Sequence, residues 1–360
     1  MTKSEIIVVA GARPNFMKVG PLCRALSADG RLGVRLVHTG QHYDPILSDR
    51  IMADLEIPTP DHHLEVGSCP ASLQTAKILD AMEGLLKDHP PRAVIVVGDV
   101  TSTLASALAA SNHCIPVVHV EAGLRSGDWG MPEERNRVLV DRLSQFLFVT
   151  ESAGVDNLRD EGMTDGVHLV GNTMIDSLLR ILPRARQSDA RSRLGLDGET
   201  YSVLTMHRPS NVDDTANFDA MIRALAPLAA EAPVIFPVHP RTKAQVEALN
   251  TPSGLRCIEP LGYLDFVSLI DEAALMLTDS GGVQEETTVL GVPCLTLRAN
   301  TERPITVEQG TNELVFNDAD KIKDLGLKAL RGDWKSHQVP KTWDGKAAER
   351  IVAILADELA

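Results

Sequence analysis

Short apolar runs, mostly of β-branched residues, alternate with amphipathic stretches along the chain, and this alternation restricts the fold more than any other feature. The intervening stretches carry apolar residues at helical spacing, as in 72–87 and 103–111. Strands separated by helices pair in parallel through right-handed crossovers, so the pattern predicts doubly wound α/β sheets. The predicted strands are 6–10, 33–38, 93–97, 116–120, 146–150, 201–206, 234–238, 256–259, 275–278 and 294–297.

The alternation starts again after Gly171, which divides the predicted strands into two sets. A chain of 360 residues is also longer than one hydrophobic core comfortably serves. We therefore expect two doubly wound α/β domains, residues 1–170 and 171–343, with a final helix at 344–360 that packs back on the first domain. Open α/β sheets bind ligands at the carboxyl ends of their strands, so a ligand is expected in a cleft between the domains.

Net charge and hydropathy limit the classes of partner that the protein can bind and the compartment in which it is expected. The formal net charge is −14 and Lys and Arg form no block, which argues against nucleic acid as a partner. A nucleotide-sized anion stays possible, because a few local arginines and a helix terminus outweigh the global sign. No run approaches the roughly 18 apolar residues of a membrane span, and no signal peptide precedes the first strand, so we expect a cytoplasmic protein.

Cysteine and histidine spacing gives no sign of a bound metal. The five cysteines are scattered without C-x-x-C spacing, which predicts reduced core thiols rather than a disulfide or metal framework. His42, His62 and His63 have no partner at metal-ligand spacing. We assign neither a metal nor a cofactor.

A phosphate site is predicted where the apolar run 273–277 leads into TDSGGVQEE. A strand that turns through Gly281 and Gly282 into a helix presents backbone N–H groups and the positive end of the helix dipole to one spot. Glu286, one turn into that helix, is placed to accept hydrogen bonds from a ribose diol. An ordinary glycine turn is the alternative.

Polar side chains also gather where the other predicted strands end. Several carboxylates and a histidine near a diphosphate suit proton transfer beside a leaving nucleotide. Closely spaced carboxylates raise one another's pKa, and a closed cleft adds desolvation, so one group can be the acid while another is the base. Arg13 and Lys18 follow the first strand and can meet an anion. The other candidates are Asp99, Glu121, Glu133 and His207.

Each of these residues also has a structural interpretation. Asp99 could cap the helix that starts near Thr101, and Glu133 could belong to an ordinary first helical turn. His119, one position before a strand end, is interpreted as a satisfied core histidine in preference to a catalyst. His207 is the opposite case, because it ends a buried strand where the cleft is expected.

Motif segments occur in order along nearly the whole chain: GARPNFMK, TGQHYD, VGDVTSTL, HVEAGLRSGD, MPEERNR, GNTMID, HRPSNVD, PVHPRT, TDSGGVQEE and TERPITVEQGT. Together they resemble the non-hydrolysing UDP-N-acetylglucosamine 2-epimerases. The resemblance implies two Rossmann-like domains of the glycosyltransferase B type, the second binding UDP. It also implies interconversion of UDP-GlcNAc and UDP-ManNAc by anti elimination of UDP, through 2-acetamidoglucal, and re-addition. A role in cell-envelope polysaccharide synthesis and a homodimer are further expectations.

The resemblance also implies roles for individual residues. Glu286 matches the family's ribose ligand, and Phe266 matches a residue beside the uracil. The catalytic set matches Asp99, Glu121, Glu133 and His207. The resemblance does not say which of the carboxylates is the base and which is the acid. The phosphate-side set matches Arg13, Lys18, Ser280, Gly281, Gly282 and Arg303.

Departures from the family pattern lie at Asn15, Pro209, Ser210 and the loop before Pro132. These positions neighbour a second, allosteric UDP-GlcNAc site of some members. The resemblance therefore does not imply that UDP-GlcNAc activates this enzyme. Alternative functions are a 2-epimerase of UDP-2,3-diacetamido uronic acid, a hydrolysing variant that releases UDP and ManNAc, and a glycosyltransferase of the same shape. A non-catalytic nucleotide-sugar sensor is a further alternative.

Overall fold

The computed structural model describes residues 5–40, 51–238, 242–249 and 251–359. Parts of the TGQHYD and PVHPRT segments, including His42, therefore lie outside the described residues, as do the side chains of Arg13 and Pro209. The chain divides into two compact units, Met1–Arg180 with Lys341–Ala360, and Ile181–Pro340. The domain limits expected from the alternating pattern, 1–170 and 171–343, stay predictions.

The first unit is built on a seven-stranded, all-parallel sheet of order β3-β2-β1-β4-β5-β6-β7. The order reverses between β1 and β4, which is where ligands bind in sheets of this type. The strands are β1 Glu5–Ala10, β2 Gly33–His38, β3 His62–His63, β4 Ala93–Val97, β5 Val117–Ala122, β6 Phe146–Val149 and β7 Val167–Leu169. The helices are Arg13–Asp29, Ala71–Asp88, Thr101–Asn112, Pro132–Leu143, Ser152–Asp160, Thr173–Ala185, which runs on into the second unit, and Ala347–Leu359.

The second unit is built on a six-stranded, all-parallel sheet of order β10-β9-β8-β11-β12-β13. Its order reverses between β8 and β11. The strands are β8 Ser202–Thr205, β9 Val234–Pro237, β10 Leu255–Ile258, β11 Leu275–Thr278, β12 Cys294–Thr296 and β13 Asn312–Leu314. The helices are Ala190–Arg193, Pro209–Val212, Thr215–Ala224, Ala226–Glu231, Lys243–Ala248, Tyr263–Asp271, Gly281–Leu290, Ile305–Glu308 and Ala319–Leu330.

Burial of the central strands explains why they read as uninterrupted apolar runs. Leu275, Met276 and Leu277 are all fully buried, yet Leu275 and Leu277 join one apolar cluster and Met276 joins another. Successive side chains of a strand point to opposite faces, so helices cover this sheet on both sides. The two parallel α/β sheets confirm the predicted fold class.

Three short strands were not predicted, namely β3, β7 and β13. Each has at most three residues and lies at an edge of its sheet. An edge strand has one neighbour and keeps polar residues, so it lacks the apolar run that marks a central strand. Among the described residues, the helices lack the combination of length and apolar character that crossing a membrane requires.

The prediction of core thiols is only partly right. All five cysteines are free thiols, and Cys23 and Cys294 are buried. Cys114 and Cys257 are exposed, so the prediction is wrong for them. Cys257 lies on the edge strand β10, and Cys114 occupies a turn with a φ of 56° after a helix.

Candidate functional site

In the first unit, Asn15 ties together the two strands at which the sheet order reverses. Its Oδ1 accepts the N–H groups of Gly11 at 3.0 Å and Ala12 at 2.9 Å. Its Nδ2 donates to the carbonyl of Val97, the last residue of β4, at 3.2 Å. The first helix therefore starts in a fixed position, and Lys18, one turn later, is brought to the carboxyl edge of the sheet.

Lys18 and Glu121, two of the predicted site residues, form a buried ion pair between Nζ and Oε2. Gly98 makes room for the pair, since a Cβ at this position would lie 3.0 Å from Lys18 Nζ. Glu121 has a φ of 75° where the register of β5 against β6 shifts between Val120 and Ala122. Bulges and positive φ values at non-glycine residues cost energy and are concentrated at functional sites.

Asp99 is held by a buried arginine. The Arg137 guanidinium lies 2.5 Å from Asp99 Oδ2 through Nη2 and 2.8 Å from Glu134 Oε2 through Nη1. The helix Thr101–Asn112 has Val100 at its N-cap position, so Asp99 lies one residue before the cap. The Asp99 carboxylate, 24% exposed, is the accessible partner of Arg137, which is 2% exposed.

Glu133 and Glu134 are adjacent in the first turn of helix Pro132–Leu143 but have different surroundings. Glu134 is buried and accepts hydrogen bonds from Ser126 N–H at 3.0 Å, Ser126 Oγ at 2.9 Å and Gly127 N–H at 2.8 Å. It therefore holds the preceding loop. Glu133 is half-buried, and within the described ranges its side chain forms no hydrogen bond or ion pair with Asp99 or Glu121.

His119 supports the same edge from inside the core. Its ring is fully buried, with Nδ1 2.6 Å from Asp141 Oδ1 and Nε2 2.9 Å from the carbonyl of Gly98. Burial by itself would raise the pKa of Asp141, but His119 and Arg125 hold that pKa below its usual value. The interpretation of His119 as a satisfied core histidine is confirmed.

In the second unit, the predicted strand–turn–helix is confirmed. β11 ends at Thr278, Ser280 is the N-cap, and the helix begins at Gly281. The Ser280 side chain makes no capping hydrogen bond to this N-terminus. A Cβ at Gly281 would lie 2.6 Å from Arg303 Nη1, so this guanidinium packs against the start of the helix. N–H groups, helix dipole and guanidinium together form a candidate anion-binding corner.

Arg303 belongs to a buried charge cluster around Glu302. Arg303 Nη1 lies 2.6 Å from Glu302 Oε1, and its Nε lies 2.6 Å from Glu285 Oε1. Arg298 Nη2 lies 2.7 Å from Glu302 Oε2, and Arg208 Nη2 lies 3.7 Å from Oε1. Burial opposes ionisation of Glu302, but the arginines hold its pKa well below the usual value. In the pair with Glu302, Arg208 is 23% exposed and the carboxylate 3%.

Glu286 and Phe266, predicted to contact the nucleoside, lie on two helices, Gly281–Leu290 and Tyr263–Asp271. Tyr263 Oη donates to Glu286 Oε1 at 2.6 Å, and burial raises the pKa of Glu286 to about 7. Phe266 follows Tyr263 on helix Tyr263–Asp271 and packs, half-buried, against the apolar core. Glu286 is thus a buried, hydrogen-bonded carboxyl group and not a surface residue of the helix.

His207 pairs with a residue that sequence reasoning did not single out. Its Nδ1 lies 3.0 Å from Oδ1 of Asp279, whose carboxylate is fully buried. Asp279 is the second residue of the TDSGGVQEE segment, so the motif contained the signal. Arg298 and Glu302 were also missed, although Glu302 directly precedes Arg303.

The family model described as UDP-N-acetylglucosamine 2-epimerase matches residues 24–356. This chain belongs to the UDP-N-acetylglucosamine 2-epimerase family.

Relatives of this family are similar to the chain over its whole length. A UDP-N-acetylglucosamine 2-epimerase of Methanocaldococcus jannaschii is 38% identical over 366 residues, covering 98% of each chain. A crystal structure of UDP-GlcNAc 2-epimerase from that organism, in complex with UDP-GlcNAc and UDP, has a TM-score of 0.90 at 38% identity and covers 98% of this chain and 99% of that one. A UDP-2,3-diacetamido-2,3-dideoxy-D-glucuronate 2-epimerase of Pseudomonas aeruginosa is 37% identical over 357 residues, covering 98% of this chain and 99% of its own.

The fold extends beyond the 2-epimerase family. Acinetobacter baumannii MurG, at 14% identity, has a TM-score of 0.53 and covers 99% of each chain, which shows likeness of fold alone. The two parallel-sheet α/β units are accordingly of the glycosyltransferase B type.

Within this 2-epimerase family member, the predicted residues fall into two groups. Lys18, Asp99 and Glu121 lie at the carboxyl edge of the first sheet, where Lys18 and Glu121 touch. The second sheet edge carries His207, the helix start Ser280–Gly282 and Arg303, with Arg303 against Gly281.

Proposed function

We propose that this family member is a reversible, non-hydrolysing 2-epimerase that interconverts UDP-GlcNAc and UDP-ManNAc. The observation that carries the proposal is a division of chemistry between two sheet edges. One edge has the Lys18–Glu121 pair and the partly exposed Asp99 carboxylate. The other has a helix N-terminus with Arg303 packed against it. Full-length relatives named as 2-epimerases support the substrate class.

The reaction explains why both groups are needed. The C2–H bond of a sugar is unactivated, so cleavage of the C1–O bond must run ahead of proton removal. In the proposed route the C2 proton and UDP leave from opposite faces to give 2-acetamidoglucal. Protonation at C2 from the opposite face and return of UDP to C1 complete the inversion. The site must therefore stabilise a departing diphosphate and supply both an acid and a base.

We assign the roles as follows. Asp99, Glu121, Glu133 and His207 are the proposed acid–base groups. The diphosphate is assigned to Arg13, Lys18, Ser280, Gly281, Gly282 and Arg303, the ribose to Glu286, and the uracil to the vicinity of Phe266. The mechanism needs both groups to act on one substrate molecule.

The decisive assay is incubation with UDP-GlcNAc in D2O. We expect deuterium at C2 and formation of UDP-ManNAc, measured by NMR. Absence of both would exclude the proposal. Release of UDP and free ManNAc would indicate the hydrolysing variant, and turnover only with an added acceptor would indicate a glycosyltransferase.

A panel of UDP-sugars sharpens the substrate assignment. The Pseudomonas relative named for a diacetamido uronate is about as similar to this chain as the relative named for UDP-GlcNAc. A higher kcat/KM for UDP-2,3-diacetamido uronic acid than for UDP-GlcNAc would therefore reassign the substrate while leaving the reaction at C2 unchanged.

We further propose that the enzyme acts as a cytoplasmic homodimer that supplies a cell-envelope polysaccharide precursor. Light scattering of the purified protein tests the dimer. A monomer mass at micromolar concentration would overturn it.

A further inference from the structure

His207 and Asp279 leave neighbouring strands at the same edge of the second sheet. β8 and β11 pair directly, with Thr205 opposite Thr278, and the two side chains follow one or two residues later. The contact joins His207 Nδ1 to Asp279 Oδ1 at 3.0 Å. The His207 side chain is 46% exposed, whereas the Asp279 carboxylate is 0% exposed. A buried carboxylate thus anchors one side of an accessible imidazole.

The Asp279 carboxylate is itself fixed by several donors. Its Oδ2 accepts the backbone N–H of His207 at 3.0 Å, the N–H of Arg208 at 2.9 Å and Asn211 Nδ2 at 3.1 Å. Burial by itself would raise the pKa of Asp279, but His207 and these N–H groups lower it, so the group is ionised at neutral pH. Its oxygens cannot rotate without losing these bonds.

An ionised carboxylate only accepts hydrogen bonds, so the nitrogen that faces it must carry a proton. In the neutral ring this places the proton on Nδ1 and the lone pair on Nε2. When Nε2 takes up a proton, the same carboxylate stabilises the imidazolium that forms.

We propose that Asp279 is a positioning residue that fixes the ring orientation and tautomer of His207, so that Nε2 exchanges the proton in the reaction. This inference rests on the proposed function, in which His207 is an acid–base group. The competing explanation is that Asp279 only joins the ends of β8 and β11 and that its loss acts through stability.

The kinetic test is Asp279→Asn. The amide nitrogen of Asn can donate to Nδ1 and so favours the opposite tautomer. We expect kcat to fall by at least about 100-fold, since loss of tautomer control in the serine protease triad costs about 10⁴-fold. The dissociation constant of UDP, measured by calorimetry, should change by less than about threefold, because no ligand contact is removed.

Asp265→Asn is the matched control. Asp265 is also a buried carboxylate of the second unit, but it bonds Ser188 Oγ at 2.7 Å and Arg193 Nη2 at 2.8 Å. We expect this variant to lower the melting temperature without a comparable loss of kcat. Equal kcat in the two variants, at equal melting temperatures, would overturn the positioning role.

A spectroscopic test needs neither turnover nor a variant. In ¹⁵N-histidine-labelled wild-type protein at about pH 9, well above the ordinary histidine pKa of about 6.5, long-range ¹H–¹⁵N correlation should show His207 protonated on Nδ1. His207→Gln provides the assignment. Protonation on Nε2 instead would overturn the proposal, even if Asp279→Asn failed to fold.

The two experiments separate this inference from the proposed function. Loss of kcat in Asp279→Asn with an Nδ1-protonated ring supports the positioning role. A wild-type enzyme that labels no UDP-sugar at C2 would remove the proposed function, while the tautomer measurement would still decide what Asp279 does to His207.

Discussion

Each of the two sheet edges has an ion pair with one buried member, but the sign of the exposed member differs. At the first edge, the accessible member of the pair is the carboxylate, with Asp99 24% exposed and Arg137 2% exposed. At the second edge, the accessible member is the cation, with Arg208 23% exposed and Glu302 3% exposed. In each case the more accessible partner helps to offset the cost of desolvating the buried charge. The difference shows that the composition of an ion pair does not decide which of its members is exposed.

Glu121→Gln tests the first edge and should have the largest effect. The substitution keeps the size of the side chain but removes the charge that pairs with Lys18. We expect kcat to fall by about 100-fold or more, the range for lost acid–base catalysis, while UDP binding largely survives. Kinetics and UDP calorimetry check this. Comparable losses in both quantities would indicate a structural role for Glu121.

Arg303→Ala tests the second edge. Loss of a charge-assisted contact should raise the UDP dissociation constant by about 10- to 100-fold, from roughly 1.5–3 kcal/mol per such bond. The buried Glu302 and Glu285 also lose a partner, so the melting temperature should fall. Arg303→Lys, which keeps the charge, should recover part of both effects. Unchanged UDP affinity in Arg303→Ala would remove this residue from the phosphate site.

Gly281→Ala sharpens the anion-binding corner without changing charge. The new Cβ would lie 2.6 Å from Arg303 Nη1 and force the guanidinium away from the helix start. We expect UDP affinity to fall by about tenfold, or roughly 1.4 kcal/mol. Gly84→Ala, in a helix with open space around the new Cβ, is the control and should leave UDP affinity unchanged. Equal affinities in both variants would contradict the packing argument.

The last prediction concerns the pH dependence of stability and not UDP affinity or turnover. Burial raises the pKa of Glu286 from 4.5 to about 7, so the folded state binds this proton more tightly than the unfolded state. The stability from this group is therefore present below pH 4.5 and is lost as the pH rises to about 7. Glu286→Gln removes this dependence. Between pH 4.5 and pH 8 the melting temperature should therefore fall less, or rise more, in the variant than in wild type.

Scanning calorimetry of the two proteins at both pH values measures the difference. Glu259→Gln changes a carboxylate that is 82% exposed and should leave the wild-type dependence unchanged. A wild-type dependence that persists in Glu286→Gln would mean that another group is responsible.

Part of the candidate site was predictable because its signals are local. The segment from Leu275 to Glu286 carries its own apolar run, glycines and helix, and these elements form where predicted. The neighbours Glu133 and Glu134 could not be told apart. Glu134 is the buried one, because the rotation of helix Pro132–Leu143 depends on what it packs against. The bulge that gives Glu121 its φ of 75° likewise depends on pairing between β5 and β6.

The sequence alone determined the alternation of strands and helices, the two parallel sheets and the start of the helix Gly281–Leu290. These features follow from periodicity and turn chemistry within a few residues. Tertiary structure alone decided the pairs Arg137–Asp99 and His207–Asp279, which join residues 38 and 72 positions apart. Contacts at such separations, and the exposure of each partner, arise only when strands pair and helices pack. A local sequence pattern therefore does not show which member of a charged pair is exposed.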